Sequence, residues 1–243
     1  KVKIAIVGKY VSLRDSYISL VEAIKHAGGA NGVGIDLKWI DSETITEKTV
    51  AKALKDVDGI IIPGGFGTRG VEGMITTCKY AREHKIPYLG ICLGMQVTVI
   101  EYARNVLKID DATSGEFSES GSHVIDILPD KKGKKIGGTM RLGAYPCVLK
   151  EGTEIKKAYA ADQIEERHRH RYEFNSDYLE TFENGGLVIS GKSPDGRIVE
   201  TVEVKDHPFF VGVQFHPEFT SKPETPNPVF TAFVKAAKEN EKR

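Results

Sequence analysis

Short apolar segments alternate with helix-like segments through the first half of the chain, and this alternation restricts the possible folds more than any other feature. Apolar, β-branched segments lie at 3–7, 35–40, 57–62 and 86–91, and apolar residues recur at helical spacing over 14–27, 43–55, 71–84 and 93–107. Strands separated by helices of this length predict βαβ units. We therefore expect a parallel sheet with helices on both faces.

The second half has a different pattern. Strand-like segments lie at 124–128, 141–149, 165–174, 187–190, 198–204 and 210–215, whereas helical spacing is convincing only at 177–183 and 228–239. This pattern predicts hairpin-rich antiparallel structure closed by a C-terminal helix. No low-complexity linker or internal repeat divides the sequence. We expect one α/β domain over residues 1–243, with a mostly parallel central sheet and a smaller antiparallel sheet.

Charge and cysteine content exclude several classes of partner. Lys plus Arg and Asp plus Glu number 34 each, so the net charge is zero and no overall field attracts nucleic acid or an anionic membrane. No apolar run approaches the length of a membrane span. Three cysteines in 243 residues favour a reducing compartment over a disulfide framework. We expect a cytoplasmic protein that binds neither nucleic acid nor membrane.

Cys92 lies between glycines at positions −2 and +2, where a buried strand is predicted to meet a long helix. This G-x-C-x-G pattern is typical of a nucleophile elbow, whose sharp turn leaves no room for side chains at the flanking positions. The helix N-terminus favours a thiolate and presents backbone N–H groups to a developing oxyanion. The alternative is a cysteine packed as a small hydrophobe, which is our interpretation of Cys78 and Cys147.

A thiol nucleophile needs a base that later serves as an acid, and His216 is the best-placed of the seven histidines. It ends an apolar strand, and Glu218 follows two residues later. Residues i and i+2 of an extended segment point the same way, so the Glu218 carboxylate can accept the imidazole N–H and fix its tautomer. The alternative is a surface histidine beside a surface glutamate.

Three motifs together resemble the class I (triad) glutamine amidotransferase family. They are Pro-Gly-Gly at 63–65, Gly-Ile-Cys-Leu-Gly-Met-Gln at 90–96 and Phe-His-Pro-Glu at 215–218, in the family's order and with the family fold covering nearly the whole chain. Further segments at 8–10, 14–17, 64–67, 137–143 and 167–172 are similar to the glutaminase domains of CTP synthases. The resemblance implies a flavodoxin-like α/β fold and hydrolysis of the glutamine side-chain amide.

The resemblance also implies roles for individual residues. Cys92 would attack the carboxamide carbon, His216 would move the protons, and Glu218 would orient His216. Backbone N–H groups of Gly65 and Leu93 would bind the oxyanion. By the same analogy Glu116 would receive the α-ammonium group and Arg171 the α-carboxylate. Further residues of the glutamine pocket would be Phe66, Gly94, Met95 and Gln96, together with Gly65 and Leu93.

For a full-length relative, the resemblance implies an ATP-dependent ligase that aminates UTP to CTP. The glutaminase half-reaction would need no cofactor, whereas ATP, Mg and a GTP activator would serve the whole enzyme. The partners would be an N-terminal amidoligase (synthetase) domain of the same polypeptide and further subunits of a homo-tetramer. The sequence starts at Lys1 directly in the first strand, so we expect an excised C-terminal domain. Loops at 118–138 are the candidate lid.

Other interpretations remain open at this stage. A different cysteine hydrolase, such as a γ-glutamyl hydrolase or a DJ-1-like protein, would also use an elbow cysteine. A non-catalytic, glutamine-sensing module would retain the fold, although an intact Cys92, His216 and Glu218 argue against it. Arg167, Arg169 and Arg171 share one strand face, which suggests a solvated edge or an anion site. His168 and His170 have metal-like spacing, but no third ligand with usable spacing appears.

Overall fold

A computed structural model describes residues 1–133 and 139–240, apart from the side chain of Arg14. The strands are β1 (Val2–Gly8), β2 (Ile35–Asp41), β3 (Gly59–Ile62), β4 (Tyr88–Ile91), β5 (Ala112–Ser114), β6 (Ser122–Ile127), β7 (Arg141–Leu149), β8 (Gln163–His170), β9 (Tyr172–Phe174), β10 (Leu187–Lys192), β11 (Val199–Val204) and β12 (Phe210–Val213). The helices are α1 (Ile18–Ala30), α2 (Val50–Ala53), α3 (Val71–Glu83), α4 (Leu93–Asn105), α5 (Glu154–Tyr159), α6 (Leu179–Asn184) and α7 (Pro228–Asn240). No helix in these two ranges has the length and hydropathy needed to traverse a bilayer.

The parallel half of the larger sheet has the order β2-β1-β3-β4-β12. Strands β3, β4 and β12 are buried at every residue, as expected where helices cover both faces. Helices α1 and α7 pack on one face and share a core with Ile4 and Ile6. Helices α3 and α4 pack on the other face, against Ala5 and Val7. The α/β architecture predicted from the sequence is confirmed.

The antiparallel half differs in detail from the prediction. Strands β11, β10, β7 and β8 follow β12 as antiparallel neighbours, so they extend the large sheet instead of forming a sheet of their own. The smaller sheet has the order β5-β6-β9 and is mixed, because β5 runs parallel to β6 and β9 runs antiparallel to it. The three-residue strand β5 was not predicted, since its pattern is too short to recognise.

The segment 165–174 was predicted as a single strand, but it divides between the two sheets. Strand β8 ends at His170 on the edge of the large sheet, and β9 begins at Tyr172 in the small one. Along β8 the even-numbered residues from Ile164 to His170 are buried and the odd-numbered ones are exposed. The division leaves Arg171 at the junction of the two sheets.

The helix predicted over 43–55 was wrong for most of its length. The structure has a short 3-10 turn at Ser42–Thr44 and the four-residue helix α2. The hydroxyl of Thr49 accepts from the N–H of Thr46 and donates to the carbonyl of Thr44, so a threonine side chain competes with helical backbone bonding. Helix α5 was missed, although Thr153 caps it by accepting from the N–H of Lys156.

Parallel strands place their carboxyl ends at one edge of a sheet, and chemistry in open α/β sheets lies outside that edge. Lys9 follows β1, Gly64 and Gly65 follow β3, and Cys92 follows β4. His216 comes three residues after the end of β12. The topology therefore brings four separate parts of the sequence to one edge.

Candidate active site

Cys92 occupies a strained turn between β4 and α4. Its backbone has φ 53° and ψ −102°, a conformation that residues with a side chain rarely adopt. A Cβ at Gly90 would lie 2.5 Å from the carbonyl oxygen of Gly94, and one at Gly94 would lie 2.2 Å from that of Ile62. Both flanking positions therefore require glycine, and the tight elbow predicted from the glycine spacing is confirmed.

His216 lies beside Cys92 because the strands that precede the two residues are neighbours. Strand β12 pairs in parallel with β4, and the N–H of Cys92 donates to the carbonyl of Val213 at 2.7 Å. The His216 Nδ1 atom lies 2.7 Å from Oε1 of Glu218. His216 also forms a side-chain hydrogen bond with Cys92, and because Nδ1 is taken by Glu218, Nε2 is the ring nitrogen left for the sulfur.

The charge state of His216 is set by three competing effects. Burial alone would lower the pKa of the imidazole, because it disfavours the charged form. Charge and hydrogen-bond interactions with Cys92, together with those of Glu218, act in the opposite direction and outweigh burial. The result is a His216 pKa raised from 6.5 to about 10. The arrangement thus favours a protonated imidazolium at His216 at neutral pH.

Gly65 lies against Leu93, the residue that directly follows Cys92, and it lines both cavities that reach Cys92. A Cβ at Gly65 would be 3.3 Å from Leu93 Cδ2, and Leu93 is the first residue of α4. Among the hydrogen bonds of residues 1–133 and 139–240, none uses the N–H of Gly65 or of Leu93. Both donors are thus available to an oxygen atom at the helix N-terminus.

A cavity of about 430 Å³ opens at Cys92 and contains most of the predicted glutamine-binding residues. Glu116 and Arg171 both line it, so it offers an acidic side chain and a basic one, and Lys131 is a second basic side chain of its lining. The Glu116 carboxylate also accepts from the N–H of Gly67 at 2.8 Å. The remaining lining residues are Gly65, Phe66, Gln96, Ile127, Lys131, Gly133, Thr139, His170 and Tyr172.

A second cavity, of about 390 Å³, reaches Cys92 from another direction. It shares Gly65, Phe66 and Cys92 with the first cavity, and His216 and Glu218 line it as well. Its lining also includes Tyr17 and the exposed side chains of Leu13, Ile18 and Phe219. The reactive sulfur therefore lies where two openings meet.

Some predicted residues lie away from the cavities. The Met95 side chain is fully buried, and its Cα and Cβ lie against Gly212, while Gly94 packs against β3. Neither lines either cavity. Gly137 and Gly138, and the part of the candidate lid at 134–138, lie outside the described residues.

Arg167 and Arg169 lie on the opposite face of β8 from the two histidines, as predicted, but the predicted row of three was wrong for Arg171, which follows the end of the strand and lines the Cys92 cavity. Arg167 and Arg169 are exposed, whereas His168 and His170 are buried. The two imidazoles contact each other, with His168 Nδ1 2.7 Å from His170 Nε2. In the described ranges no three His, Cys, Asp or Glu side chains are grouped to bind a metal.

Two buried residues at the site were not singled out from the sequence. The ammonium group of Lys9 donates to the carbonyls of Phe66 and Gly67, the first at 2.9 Å, and burial lowers the Lys9 pKa to about 8. Gln214 donates to the Cys92 sulfur at 3.7 Å. A signal for Gln214 was available, because it precedes His216 by two residues on an extended segment. A signal for Lys9 was available as well, because it directly follows a parallel strand, and the carboxyl ends of such strands are where sites form.

Comparisons with known proteins agree with this geometry. The profile of the family "Glutamine amidotransferase class-I" matches residues 12–236. CTP synthases of Carboxydothermus hydrogenoformans and Geobacillus kaustophilus are each 56% identical to the chain, over 239 and 237 residues. These alignments cover 98% and 97% of this chain but 45% of each relative. The chain thus spans a little under half the length of these curated relatives.

Solved structures give the same picture. The glutaminase domain of Trypanosoma brucei CTPS with bound acivicin is 40% identical and superposes with a TM-score of 0.93, covering 98% of this chain and 94% of that one. A glutamine amidotransferase from Thermotoga maritima is 13% identical with a TM-score of 0.57, covering 99% of this chain and 97% of that one. At that identity the second likeness speaks for the fold alone.

Proposed function

The chain belongs to the class I glutamine amidotransferase family, in the group formed by the glutaminase domains of CTP synthases, and we propose that its Cys92 site hydrolyses L-glutamine to glutamate and ammonia. One observation carries this proposal. A cysteine in a strained elbow lies beside an imidazole whose other nitrogen contacts a carboxylate, and the sulfur opens into a cavity lined by both acidic and basic side chains, among them Glu116 and Arg171.

In the first half-reaction the Cys92 sulfur attacks the side-chain carbonyl carbon of glutamine. The C–S bond forms while the carbonyl oxygen becomes an oxyanion, and the N–H groups of Gly65 and Leu93 stabilise it. Collapse of this intermediate breaks the C–N bond. His216 donates its Nε2 proton to the departing nitrogen, which leaves as ammonia, and a γ-glutamyl thioester remains on Cys92.

In the second half-reaction neutral His216 accepts a proton from water through Nε2. The hydroxide so formed attacks the thioester carbonyl, and the same two N–H groups stabilise the second oxyanion. The C–S bond then breaks to give glutamate and the thiolate. Glu218 fixes the ring orientation throughout, because its carboxylate accepts the Nδ1 proton. One water is consumed, and the imidazolium–thiolate pair is restored.

The same proposal assigns the two ends of the substrate. Glu116 would receive the α-ammonium group and Arg171 the α-carboxylate, for which a guanidinium fork is well suited. Phe66 and Gln96 would contact the ligand as lining residues. Any contribution of Gly94 or Met95 would come from their backbone, because their positions are buried away from the cavity. Lys9 would keep the loop at Phe66 and Gly67 in place.

The longer enzyme is a further part of the proposal. We infer that the domain supplies ammonia to an amidoligase (synthetase) domain of the same polypeptide, for ATP-dependent amination of UTP to CTP in pyrimidine synthesis. ATP, Mg and a GTP activator would serve that longer enzyme, which we expect to be a cytoplasmic homo-tetramer. The glutaminase half-reaction would use none of them. The support is 56% identity to CTP synthases, which also disfavours other cysteine hydrolases.

The proposal is tested by labelling the protein with diazo-oxo-norleucine, a glutamine analogue that alkylates a nucleophile in a glutamine pocket. We expect one adduct, located on Cys92 by peptide mass spectrometry, and slower labelling when L-glutamine is present. Ammonia release from L-glutamine is measured on the same preparation. An adduct elsewhere, or no adduct and no ammonia, would contradict the proposed function.

A matched variant separates pocket recognition from general thiol reactivity. Arg171→Met removes the proposed partner of the α-carboxylate but leaves Cys92, His216 and Glu218 in place. We expect labelling by the glutamine analogue to slow, while alkylation by iodoacetamide, which carries no carboxylate, stays unchanged. Equal loss with both reagents would mean that the substitution disturbs the sulfur itself.

Glu218→Gln tests the orienting role of the carboxylate. We expect kcat for glutamine hydrolysis to fall roughly 10²-fold, because an amide neither stabilises the imidazolium by charge nor holds one tautomer as firmly. KM should change much less, since Glu218 does not line the cavity that contains Glu116 and Arg171. Steady-state kinetics measures both constants. An unchanged kcat would remove Glu218 from the proposed triad.

A further inference from the structure

Two buried glutamine side chains connect the Cys92 sulfur to the interior of the protein. Gln214 is fully buried and Gln96 is 3% exposed. Nε2 of Gln214 lies 3.7 Å from the sulfur, and Oε1 of Gln214 lies 3.3 Å from Nε2 of Gln96. Nε2 of Gln96 also lies 3.2 Å from the carbonyl oxygen of Tyr172. The proposed triad uses neither amide.

The orientation of both amides follows from the carbonyl of Tyr172, which only accepts hydrogen bonds. The group of Gln96 next to this carbonyl must therefore be its NH₂. The second N–H of that NH₂ group meets Gln214, so the atom of Gln214 on that side must be the oxygen. This leaves the NH₂ of Gln214 on the side of Cys92, and Gln214 donates to the sulfur.

The carbonyl of Tyr172 is itself fixed from a second direction. Nδ1 of His170 lies 3.1 Å from it, and His168 Nδ1 lies 2.7 Å from His170 Nε2. Burial lowers the pKa of His170 well below its usual value, and lowers that of His168 to about 3, so both rings are neutral. His170 must then donate through Nδ1, and His168 donates to His170.

Because donors from both sides converge on the Tyr172 carbonyl, this chain of hydrogen bonds has an acceptor at its middle. A proton cannot be relayed through such a point, so the chain serves orientation and not proton transfer. The hydrogen bonds of His168 and His170 hold the Tyr172 carbonyl in place. The carbonyl orients the amide of Gln96, and Gln96 orients the NH₂ group of Gln214 that faces the sulfur.

We propose that Gln214 is a second hydrogen-bond donor to the Cys92 sulfur, besides His216, and that it stabilises and aims the thiolate before substrate binds. The inference rests on the proposed function, because it concerns the same nucleophile. His216 supplies the neighbouring positive charge, with Glu218 behind it, and Gln214 supplies a neutral dipole from the strand side. An N–H donor favours the charged form of the group that accepts from it.

The test is the pH profile of Cys92 alkylation by iodoacetamide, which needs no glutamine turnover. Cys78 and Cys147 line neither cavity at Cys92, and burial raises the pKa of both thiols, so we expect alkylation at Cys92. In Gln214→Met, which has similar length and no donor, we expect the profile to move to higher pH and alkylation at neutral pH to slow by up to about tenfold. Gln214→Glu should move it further, because a carboxylate repels the thiolate.

Controls keep the outcomes separate. Gln163→Met makes the same substitution at an exposed residue of β8 and should leave the profile unchanged. If Gln214→Met is folded by circular dichroism and its profile matches that of the wild type, the inference is overturned. If the wild type is alkylated normally but releases no ammonia from glutamine, the proposed function fails while the thiol measurement still decides the role of Gln214.

A measurement on the unaltered protein covers the case in which Gln214 variants do not fold. The side-chain NH₂ signals of Gln214 in NMR should shift over the pH range in which Cys92 titrates, and this shift should be absent in Cys92→Ala. Signals that do not respond to the state of Cys92 would overturn the inference. The side-chain NH₂ signals of the exposed Gln163 provide the internal reference.

Discussion

Replacing Cys92 by alanine is expected to lower kcat for glutamine hydrolysis on the order of 10⁴-fold or more. The sulfur is the atom that forms the bond to the substrate in the proposed mechanism, and no other side chain at the site is a comparable nucleophile. Ammonia release from L-glutamine measures the loss. Activity near the wild-type level would show that the thioester route is wrong.

The same substitution should leave the fold intact. Alanine removes one buried atom from the turn and keeps its backbone, so we expect the melting temperature to stay within about 4 °C of the wild type. Cys147→Ala is the matched control, because Cys147 is also buried but lies in β7 away from both cavities. That variant should lose some stability and keep its activity. Unfolding of Cys92→Ala would favour a packing role for Cys92.

A spectroscopic consequence accompanies the kinetic one. Cys92 makes the largest of the contributions that raise the pKa of His216 to about 10, against the lowering effect of burial. In Cys92→Ala that contribution is gone, so the His216 pKa should fall. NMR titration of the His216 ring protons follows the change. If the His216 pKa is the same in Cys92→Ala as in the wild type, the two side chains do not interact as described.

Arg141→Met is expected to lower the free energy of unfolding by about 3–5 kcal/mol. Arg141 is 5% exposed and donates to Glu173 at 3.1 Å and to Glu200 at 2.8 Å, both of which are buried. Removing the guanidinium leaves two buried carboxyl groups without their cation. Urea unfolding followed by circular dichroism measures the effect. Arg141 does not itself line the Cys92 cavity, but it is the cross-strand neighbour of His170, which does.

The loss of unfolding free energy in Arg141→Met should depend on pH in a definite direction. Burial raises the pKa of Glu173 and of Glu200 above 4.5, and Arg141 opposes this rise. A carboxyl group with a raised pKa in the folded state contributes stability below its unfolded pKa, and that contribution is lost as pH rises through the folded pKa. Without Arg141 both values rise further. Arg141→Met should therefore lose most stability at high pH and least near pH 4.5.

Two further variants test this explanation. Adding Glu173→Gln and Glu200→Gln to Arg141→Met should recover stability, because neutral amides do not need the cation. Lys25→Met, which removes one partner of the exposed pair with Glu22, should leave the unfolding free energy nearly unchanged. A deficit of the same size at every pH would indicate lost packing by the arginine side chain, without an electrostatic component.

Much of the fold was predictable because helices and parallel strands have local patterns. The segments that became β1, β2, α3 and α4 were located to within a few residues. The failures have physical causes. Helix spacing over 43–55 was overridden by the hydrogen bonds of Thr49, and the pairing partner of β5 lies in another segment. Nothing local in 165–174 reveals that the strand changes sheets at Arg171.

At the candidate site, the elbow around Cys92 was predictable because the two glycines are dictated by backbone crowding within a few residues. The contact of His216 with Glu218 was predicted from the two-residue period of an extended chain, but the structure makes it through the 3-10 turn Pro217–Phe219, so the contact was right and its predicted geometry was wrong. The neighbourhood of Cys92 and His216 depends on β4 and β12 being adjacent, and only the family resemblance implied that. The network behind Gln214 joins three distant segments and has no sequence signature.

Pairing of β4 with β12 has a consequence for biosynthesis. Cys92 is synthesised more than a hundred residues before His216, and β12 inserts between β4 and the antiparallel strands. A nascent chain that stops before Phe210 contains the elbow sequence around Cys92 but lacks His216. Under the proposed mechanism, glutamine hydrolysis therefore requires translation to pass His216, so incomplete chains released from the ribosome would not consume the cell's glutamine.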